Sequence, residues 1–531
     1  MQTYTIQGVG CTAGQVALLR ILTNKFHPLL NKGWLDTTLH SGYMFVLMGD
    51  NWTEQVAVLT AEKLIETSKD LKIKAKGAVR QSFTPNQEPI EVASRRPIIS
   101  SRWQEVEGRA YDAATKMSTT GLRVNEYMAE RIKNTYTNNT EYQQTPVWIY
   151  ANNCSNYAGC VLYSDVFFDW RGRLYYQTGT YGSPQQSRFQ RALMEAPEAV
   201  EVTDESFDLL MHIVSDEYDI NIDNYSEVMA SEIVDGDDAL RIRAAYAIHE
   251  IITTGKTAYL VEQDATCSGG QIIALLTGDV PLAKATNVFP NQRHIEDLYS
   301  MLAYHPSMDL IWEAVEIDDP KVRRSLAKPA VMVGFYGGAP AAVVNNLWLK
   351  HDGDFDLNDE GDSIPCNYIT IKGYTLSVEQ ANMICEQLCK LLDNYEGFKR
   401  FKGWGSSNAV KVIRENIEYL EWQTPSGFIA RTNGFKSQAG LMPNYVHSLD
   451  AAIVHYVLTN SKFTHETILT IHDAFLSTVN NITMLKNVVR EAYHTVLSNA
   501  EIPTFGGKLL IPMDTKDYLL EGLMNAHCVG V

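Results

Sequence analysis

The chain has 531 residues, 45% of them hydrophobic and 20% charged, with a formal net charge of −18. This length supports a large core divided into roughly two to four subdomains. No apolar run reaches the roughly 18 residues of a membrane-spanning helix, and the eight cysteines form no CxxC pair, which counts against a zinc site and points to reduced thiols and a cytoplasmic setting. The net acidity, taken as an average, counts against a nucleic-acid partner, because such domains carry a basic face. The charge is unevenly spread, however. Residues 201–240 hold 13 acids and no Lys or Arg, whereas Lys72, Lys74, Lys76, Arg80, Arg95, Arg96 and Arg102 face only Glu88 and Glu91. An acidic shell can enclose a basic channel.

The N-terminal MQTYTIQGVGCTAGQ lacks a basic region followed by an apolar stretch, so neither a signal nor a transit peptide is expected. Apolar positions such as Val56, Leu59 and Leu64 predict a small helical front end over residues 1–70. The basic segment 72–105, with Pro85, Pro89 and Pro97, reads as an extended linker. Helical patterning covers Ala110–Lys133, and Val161–Phe168 is strand-like. Ala258–Gln263 reads as a short buried strand that ends in Asp264. Residues 281–440 read as mostly helical, broken by an acidic loop at Asp352–Asp362; Thr467–Ile471 is a second apolar strand, closely followed by His472 and Asp473.

Two strands that each deliver an aspartate are the main architectural signal. Desolvating a lone carboxylate is costly, and two brought together raise each other's pKa unless cations lie between them. Magnesium, which favours carboxylate, water and phosphate oxygens, resolves this. Two such ions activate an attacking hydroxyl and stabilise a leaving pyrophosphate. The bland alternative is that each acid caps a strand-to-helix turn. A third centre, RRSLAKPAVMVGFYGG, places Arg324, Lys328 and Tyr336 on one broad helical face, suited to a triphosphate with a base or sugar beyond it. Its alternative is an ordinary basic helix start, with Asp319 as N-cap and Pro320 at the first position. Pro329, directly after Lys328, either kinks that helix or begins it.

These three centres resemble the A, B and C motifs of the single-subunit, bacteriophage-type DNA-directed RNA polymerase family. DWRGRLY (Asp169–Tyr175), NVFPNQRHIEDLYSMLA with Tyr299, TPSGF (Thr424–Phe428) and PNYVHSLDA (Pro443–Ala451) resemble further blocks of that family in the same order. The resemblance covers about residues 160–531. It implies a mainly α fold with a small central β-sheet (α/β), built as a right hand with palm, fingers and thumb. The implied division is a reduced N-terminal or thumb region over 1–105, a helical thumb-to-palm connection over 106–160 and the first part of the palm over 161–280, with an acidic insertion at 201–240. The fingers then occupy 281–440 and the second part of the palm 441–531.

The implied roles follow residue by residue. Asp264 and Asp473 bind two Mg2+ ions, with the carbonyl of Ala265 as a further ligand. Arg324 and Lys328 hold the triphosphate, Tyr336 caps the insertion site and senses the sugar, and Tyr299 meets the incoming nucleotide. His447 reaches the primer-strand minor groove near the ribose, and Arg173 contacts backbone close to the active centre. His472 packs beside the metals, with a purely structural histidine as the alternative. Family-A DNA polymerases place a bulky Glu five residues after the first metal aspartate, and here that position is Gly269. The glycine leaves room for a ribose 2′-hydroxyl, and Tyr336 and His447 offer it polar partners.

The expected partners are a DNA template, nascent RNA and ribonucleoside triphosphates, with no membrane. The front end before Tyr111 is short for a promoter-binding domain. Ile429–Met442, only 14 residues, is short for a groove-reading hairpin. An accessory protein, or melted template, is therefore expected at initiation. The alternatives are a primase-like synthesiser of short RNAs and an inactive polymerase fold that only binds nucleic acid. The loop Asp352–Asp359 resembles a calcium loop but carries Leu357 where glycine is needed. The cluster Phe398-Lys399-Arg400-Phe401-Lys402 with Trp404 reads equally as a stacking platform for single strands or as a packed helix end.

Overall fold

The computed structural model describes residues 102–137, 155–176, 185, 187–351, 355–357, 363–433 and 440–527, together with Pro89 and the short strands Thr3–Ile6, Val9–Thr12 and Arg95–Ile98. The expected helical front end around Val56–Leu64, most of the basic linker and most of the loop Asp352–Asp359 lie outside the described residues. The described chain is mainly helical, with several small sheets that are almost wholly antiparallel. Contacts divide it into two compact units, residues 1–262 with 458–482, and residues 263–457 with 483–531.

In the first unit, the helical pattern over Ala110–Lys133 is interrupted. Helices Gly108–Thr119 and Glu126–Thr137 flank the short strand Leu122–Val124. Gly121 marks the break: a methyl there would stand 2.4 Å from Val161. The run Val161–Phe168 is likewise two strands, Val161–Leu162 and Val166–Phe168. The acidic stretch 201–240 forms helix starts. Asp204 and Glu205 occupy the first turn of Asp204–Tyr218, and Asp235 and Asp238 form a capping box on Gly236–Thr254. Carboxylates there face unsatisfied N–H groups and the positive end of the helix dipole.

The expected strand before Asp264 is Leu260–Gln263, and the one before Asp473 is Ile468–Ile471. They belong to one three-stranded sheet in the order Leu260–Gln263, Ala474–Thr478, Ile468–Ile471. Val261 packs into a helical core with Leu210, Val214, Ala244 and Ile248, which fixes the strand from behind. Beneath it runs a buried ionic network. Glu195 and Arg243, 3% and 1% exposed, meet at 2.9 Å, and Asn125 and Arg123 donate to the same carboxylate at 2.6 and 2.7 Å.

In the second unit, Ser268–Thr277 follows Asp264 as a helix buried at every position. Residues 281–440 are mostly helical as expected where described, but they also contain antiparallel strand pairs, Phe355–Leu357 with Ser363–Pro365, Tyr368–Ile371 with Tyr374–Ser377, and Tyr419–Gln423 with Ile429–Asn433. The last of these turns on TPSGF. Thr424 N–H donates to the Phe428 carbonyl at 2.9 Å, and Gly427 takes a φ of +87° that favours glycine. Phe398, Phe401 and Trp404 are at most 1% exposed, so this aromatic cluster is core packing and not a stacking platform.

Candidate active site

Helix Pro320–Phe335 presents the cationic face. Asp319 caps it by accepting from Lys321 N–H at 2.7 Å, with Pro320 at the first position. Pro329 lies inside the helix and does not begin it; it removes one N–H donor from the ladder next to Lys328. Tyr336 is the C-cap, and Gly337 follows with φ +76°. Both Arg324 and Lys328 are exposed. Their charged ends lie over the ring of buried Tyr299, at 5.5 and 5.6 Å from its centroid, a cation–π arrangement. Arg324 also grips Asp297, Nε to Oδ2 at 2.5 Å and Nη2 to Oδ1 at 3.4 Å. Burial works against the charged form of Asp297, but hydrogen bonds from Arg324, Ser300 and the Tyr299 N–H outweigh it and hold the carboxyl below its ordinary range.

Beside this face lies a second cluster. A methyl built on Gly269 would stand 3.3 Å from the Tyr336 hydroxyl, and the Tyr336 ring meets His447 edge to face with centroids 4.5 Å apart. Gly269, Tyr336 and His447 are thus brought together from three separate helices or helix ends. The neighbouring Gly270 has a different cause. A methyl there would press on Thr286 at 2.8 Å and Phe335 at 3.0 Å, so packing demands that glycine. His447 rides on helix Leu441–Leu458, which is stapled to the TPSGF turn. Ser426 pairs with His455 at 2.8 Å, and Trp422 donates to Ser448 at 2.8 Å.

The loop carrying Asp264 and Ala265 is braced in the same unit. Thr266 Oγ1 accepts from Gln271 at 2.9 Å and Asn287 at 3.0 Å, and Tyr493 donates to the Gln271 side chain at 2.8 Å. Asp264 itself is exposed.

The first unit holds Asp473, His472 and Arg173. His472 and Asp473 form a two-residue turn between strands paired through Ile471 and Ala474. His472 takes φ +59°, a strained conformation for a non-glycine residue, and Thr470 Oγ1 donates to its carbonyl at 2.6 Å. Its Nδ1 is buried without a hydrogen-bond partner. Burial, then the charge of Arg173, push its pKa down, against the pull of Asp473 and Asp169. Tyr175 packs edge-on against its ring at 5.2 Å. DWRGR closes the adjacent hairpin: buried Asp169 accepts from the N–H of Arg171 at 2.9 Å and of Arg173 at 3.0 Å. Gln185 ties the two hairpins by donating to Leu174 O at 3.1 Å and Thr470 O at 3.0 Å.

Sequence reasoning missed Asp297, Gln271, Tyr493, Tyr175 and Gln185. For Asp297 a signal existed, an acid at cap position before Leu298-Tyr299; a lone buried Gln or Tyr gives none.

Asp264, Asp473 and the Ala265 carbonyl are each hard oxygen donors of the kind magnesium prefers, and among the described residues no group of three or more His, Cys, Asp or Glu is gathered to hold a metal ion. Magnesium is typically held by one or two carboxylates and completes its shell with water and substrate phosphate.

Residues 240–380 and 402–506 match the family model of DNA-dependent RNA polymerase. The chain carries a DNA-directed RNA polymerase domain. A "Probable DNA-directed RNA polymerase" of Agaricus bitorquis is 26% identical to it over 283 residues, covering 45% of this chain and 25% of that one. The mitochondrial DNA-directed RNA polymerase of Schizosaccharomyces pombe is 26% identical over 326 residues, covering 52% and 28%. A further "Probable DNA-directed RNA polymerase", from a Gelasinospora species, is 22% identical over 464 residues, covering 73% and 55%. The polymerase domain thus spans between a quarter and just over half of these relatives' lengths. Among solved structures, the POL domain of Pol1 from M. smegmatis, in complex with DNA primer-template and dNTP, aligns over 93% of this chain and 79% of its own, at 12% identity and a TM-score of 0.38. No described helix is long and apolar enough to cross a membrane.

Proposed function

We propose that the chain is a bacteriophage-type, single-subunit RNA polymerase with a right-hand arrangement of palm, fingers and thumb. It adds ribonucleotides to an RNA 3′ end on a DNA template, in a cytoplasmic setting. The observation that carries this reading is the gathering of Gly269, Tyr336 and His447 beside the Arg324–Lys328–Tyr299 face.

In this reading Arg324 and Lys328 hold the triphosphate, and Tyr299 stacks where the nucleotide arrives. The small Gly269 leaves the 2′-hydroxyl room, and the Tyr336 hydroxyl and His447 ring recognise it. A site that hydrogen-bonds a hydroxyl rejects the analogue lacking it. Arg173 contacts nucleic-acid backbone, and His472, braced by Tyr175, sets the turn that presents Asp473. Asp264, Asp473 and the Ala265 carbonyl would hold two magnesium ions, which when bound supply charge stabilisation at the attacking hydroxyl and the leaving pyrophosphate.

The test is primer extension on single-stranded DNA with ribonucleotides. Asp264→Asn and Asp473→Asn should each abolish synthesis while template binding stays near normal; extension at the parent rate by either variant refutes the assignment. Initiation is proposed to need an accessory protein or an open template, because opening several base pairs costs on the order of 10 kcal/mol of stacking. Run-off synthesis on closed, bubble-opened and single-stranded templates checks this, and efficient specific initiation on the closed duplex by the chain alone would overturn it.

A further inference from the structure

Helix Glu396–Arg414 carries three glycines, and two have packing reasons. A methyl on Gly397 would stand 2.2 Å from Thr277, and one on Gly405 would stand 2.2 Å from Met442. Gly403 has none: an added methyl would meet only the tip of Lys508, at 3.7 Å. Glycine is the poorest helix former after proline, and at this half-buried position no contact within the chain excludes a methyl.

The surroundings are built and charged. Residues 503–508 are strapped across this helix. Trp404 donates to the Pro503 carbonyl at 3.0 Å, Asn408 accepts from Phe505 N–H at 2.8 Å, and Ser407 accepts from Lys508 N–H at 2.7 Å. Gly507 permits the approach, since a methyl there would stand 2.6 Å from the Asn408 backbone. The strap fixes Lys508 over Gly403. Along 396–414 and 503–512 there are six cations, Lys399, Arg400, Lys402, Lys411, Arg414 and Lys508, and a single acid, Glu396, in a chain of net charge −18. Glu396, Asp393 and Glu415 pair with Arg400, Lys402 and Lys411. Lys399, Arg414 and Lys508 are exposed and form no ion pair among the described residues. Helical spacing puts Lys399, Gly403, Ser406 and Arg414 on one face, over about 22 Å at 1.5 Å per residue.

We propose that this face binds the backbone of a single-stranded nucleic acid, with the phosphates passing over Gly403 beside Lys508 and along the helix towards Lys399, one turn earlier. A thin strand with evenly repeated negative charge suits exposed cations spaced along a helix that is slim at residue 403, where a side chain would hold the strand off. The proposal extends the polymerase reading by adding a contact outside the catalytic cluster.

The test uses the full chain and labelled single-stranded DNA, the same sequence as RNA, and duplex DNA, titrated by fluorescence anisotropy across salt. Gly403→Ala should melt at the parent temperature or about 1–3 °C higher, yet bind the single-stranded probes roughly 3–10-fold more weakly. The double variant Lys399→Ala with Lys508→Ala should reduce the slope of log affinity against log salt by about 1.4 for a single strand. Parent affinities in all variants would overturn the proposal, as would a lowered melting temperature in Gly403→Ala, or a loss confined to duplex DNA. If the parent extends primers and the variants bind normally, only this surface is refuted. If the binding changes appear but the parent adds no ribonucleotide, the polymerase reading falls and the surface stands.

Discussion

Arg324, on the exposed face of its helix, is clasped by Asp297 through both carboxylate oxygens, at 2.5 and 3.4 Å. An arginine proposed to hold a triphosphate is therefore already neutralised, and the substrate must displace a carboxylate to reach it. Asp297 also caps the helix Leu298–Ala303 that carries Tyr299. The two roles separate by chemistry: asparagine keeps the cap and removes the charge. Arg324 is exposed and Asp297 half-buried, with 46% and 36% of the side chains accessible, and pairs that reach solvent contribute only about 0.2–1 kcal/mol. Asp297→Asn should lower the KM for ribonucleotides by at most about fivefold and leave kcat unchanged. A raised KM would mean that Asp297 orients Arg324 for the substrate and does not compete with it.

Gly269 should set sugar choice by size alone. A methyl there would press on the Tyr336 hydroxyl at 3.3 Å, so Gly269→Ala intrudes where the 2′-hydroxyl is proposed to sit. The kcat/KM for ribonucleotides should fall more than that for deoxyribonucleotides. Tyr336→Phe should shift the same ratio through a lost hydrogen bond while its ring still packs on His447. Equal losses for both sugars in both variants would assign the cluster a structural role.

His472 should make stability depend on pH in a definite direction. Burial and Arg173 hold its pKa below the ordinary value of 6.5, so the unfolded chain binds more protons between the lowered value and 6.5. Stability is fully present above that window, falls as pH drops through it, and levels off beneath it. Asparagine tolerates a positive φ, so His472→Asn preserves the turn and removes the titration. Its urea midpoint should change less than the parent's between about pH 7 and 5. Parallel slopes would show that the imidazole does not titrate differently in the fold.

Glu195 and Arg243 offer a stability test away from the site. Glu195→Gln keeps the shape but leaves the guanidinium of Arg243, 1% exposed, with Glu250 at 3.5 Å as its one remaining anionic partner among the described residues. A loss of about 3–5 kcal/mol is expected, read as a lowered thermal midpoint. Adding Arg243→Met should recover part of it, because a buried pair replaced by apolar groups is often neutral. No recovery would mean that Arg243 packs chiefly through its contacts with Tyr246 and Tyr259.

Features written in adjacent residues were legible without the fold. The strand before Asp264 follows from its apolar run, and the helix start follows from Asp319-Pro320. TPSGF, expected only as a family block, folds as a turn whose cause lies within its own five residues. Capping, periodicity and turn chemistry act over a few bonds, so each signal and its cause occupy the same short segment. The helical pattern over Ala110–Lys133 is interrupted for a reason that lies elsewhere in the chain, where Val161 and Tyr163 pack against Gly121. The tertiary structure alone decided that Phe398, Phe401 and Trp404 face inward, that Asp297 clasps Arg324, and that His472 takes a left-handed turn. It alone set Gly269 against Tyr336 and Tyr336 against His447. Periodicity tells which residues share a face, but what covers that face comes from distant segments, whose contacts are fixed only when the chain closes on itself.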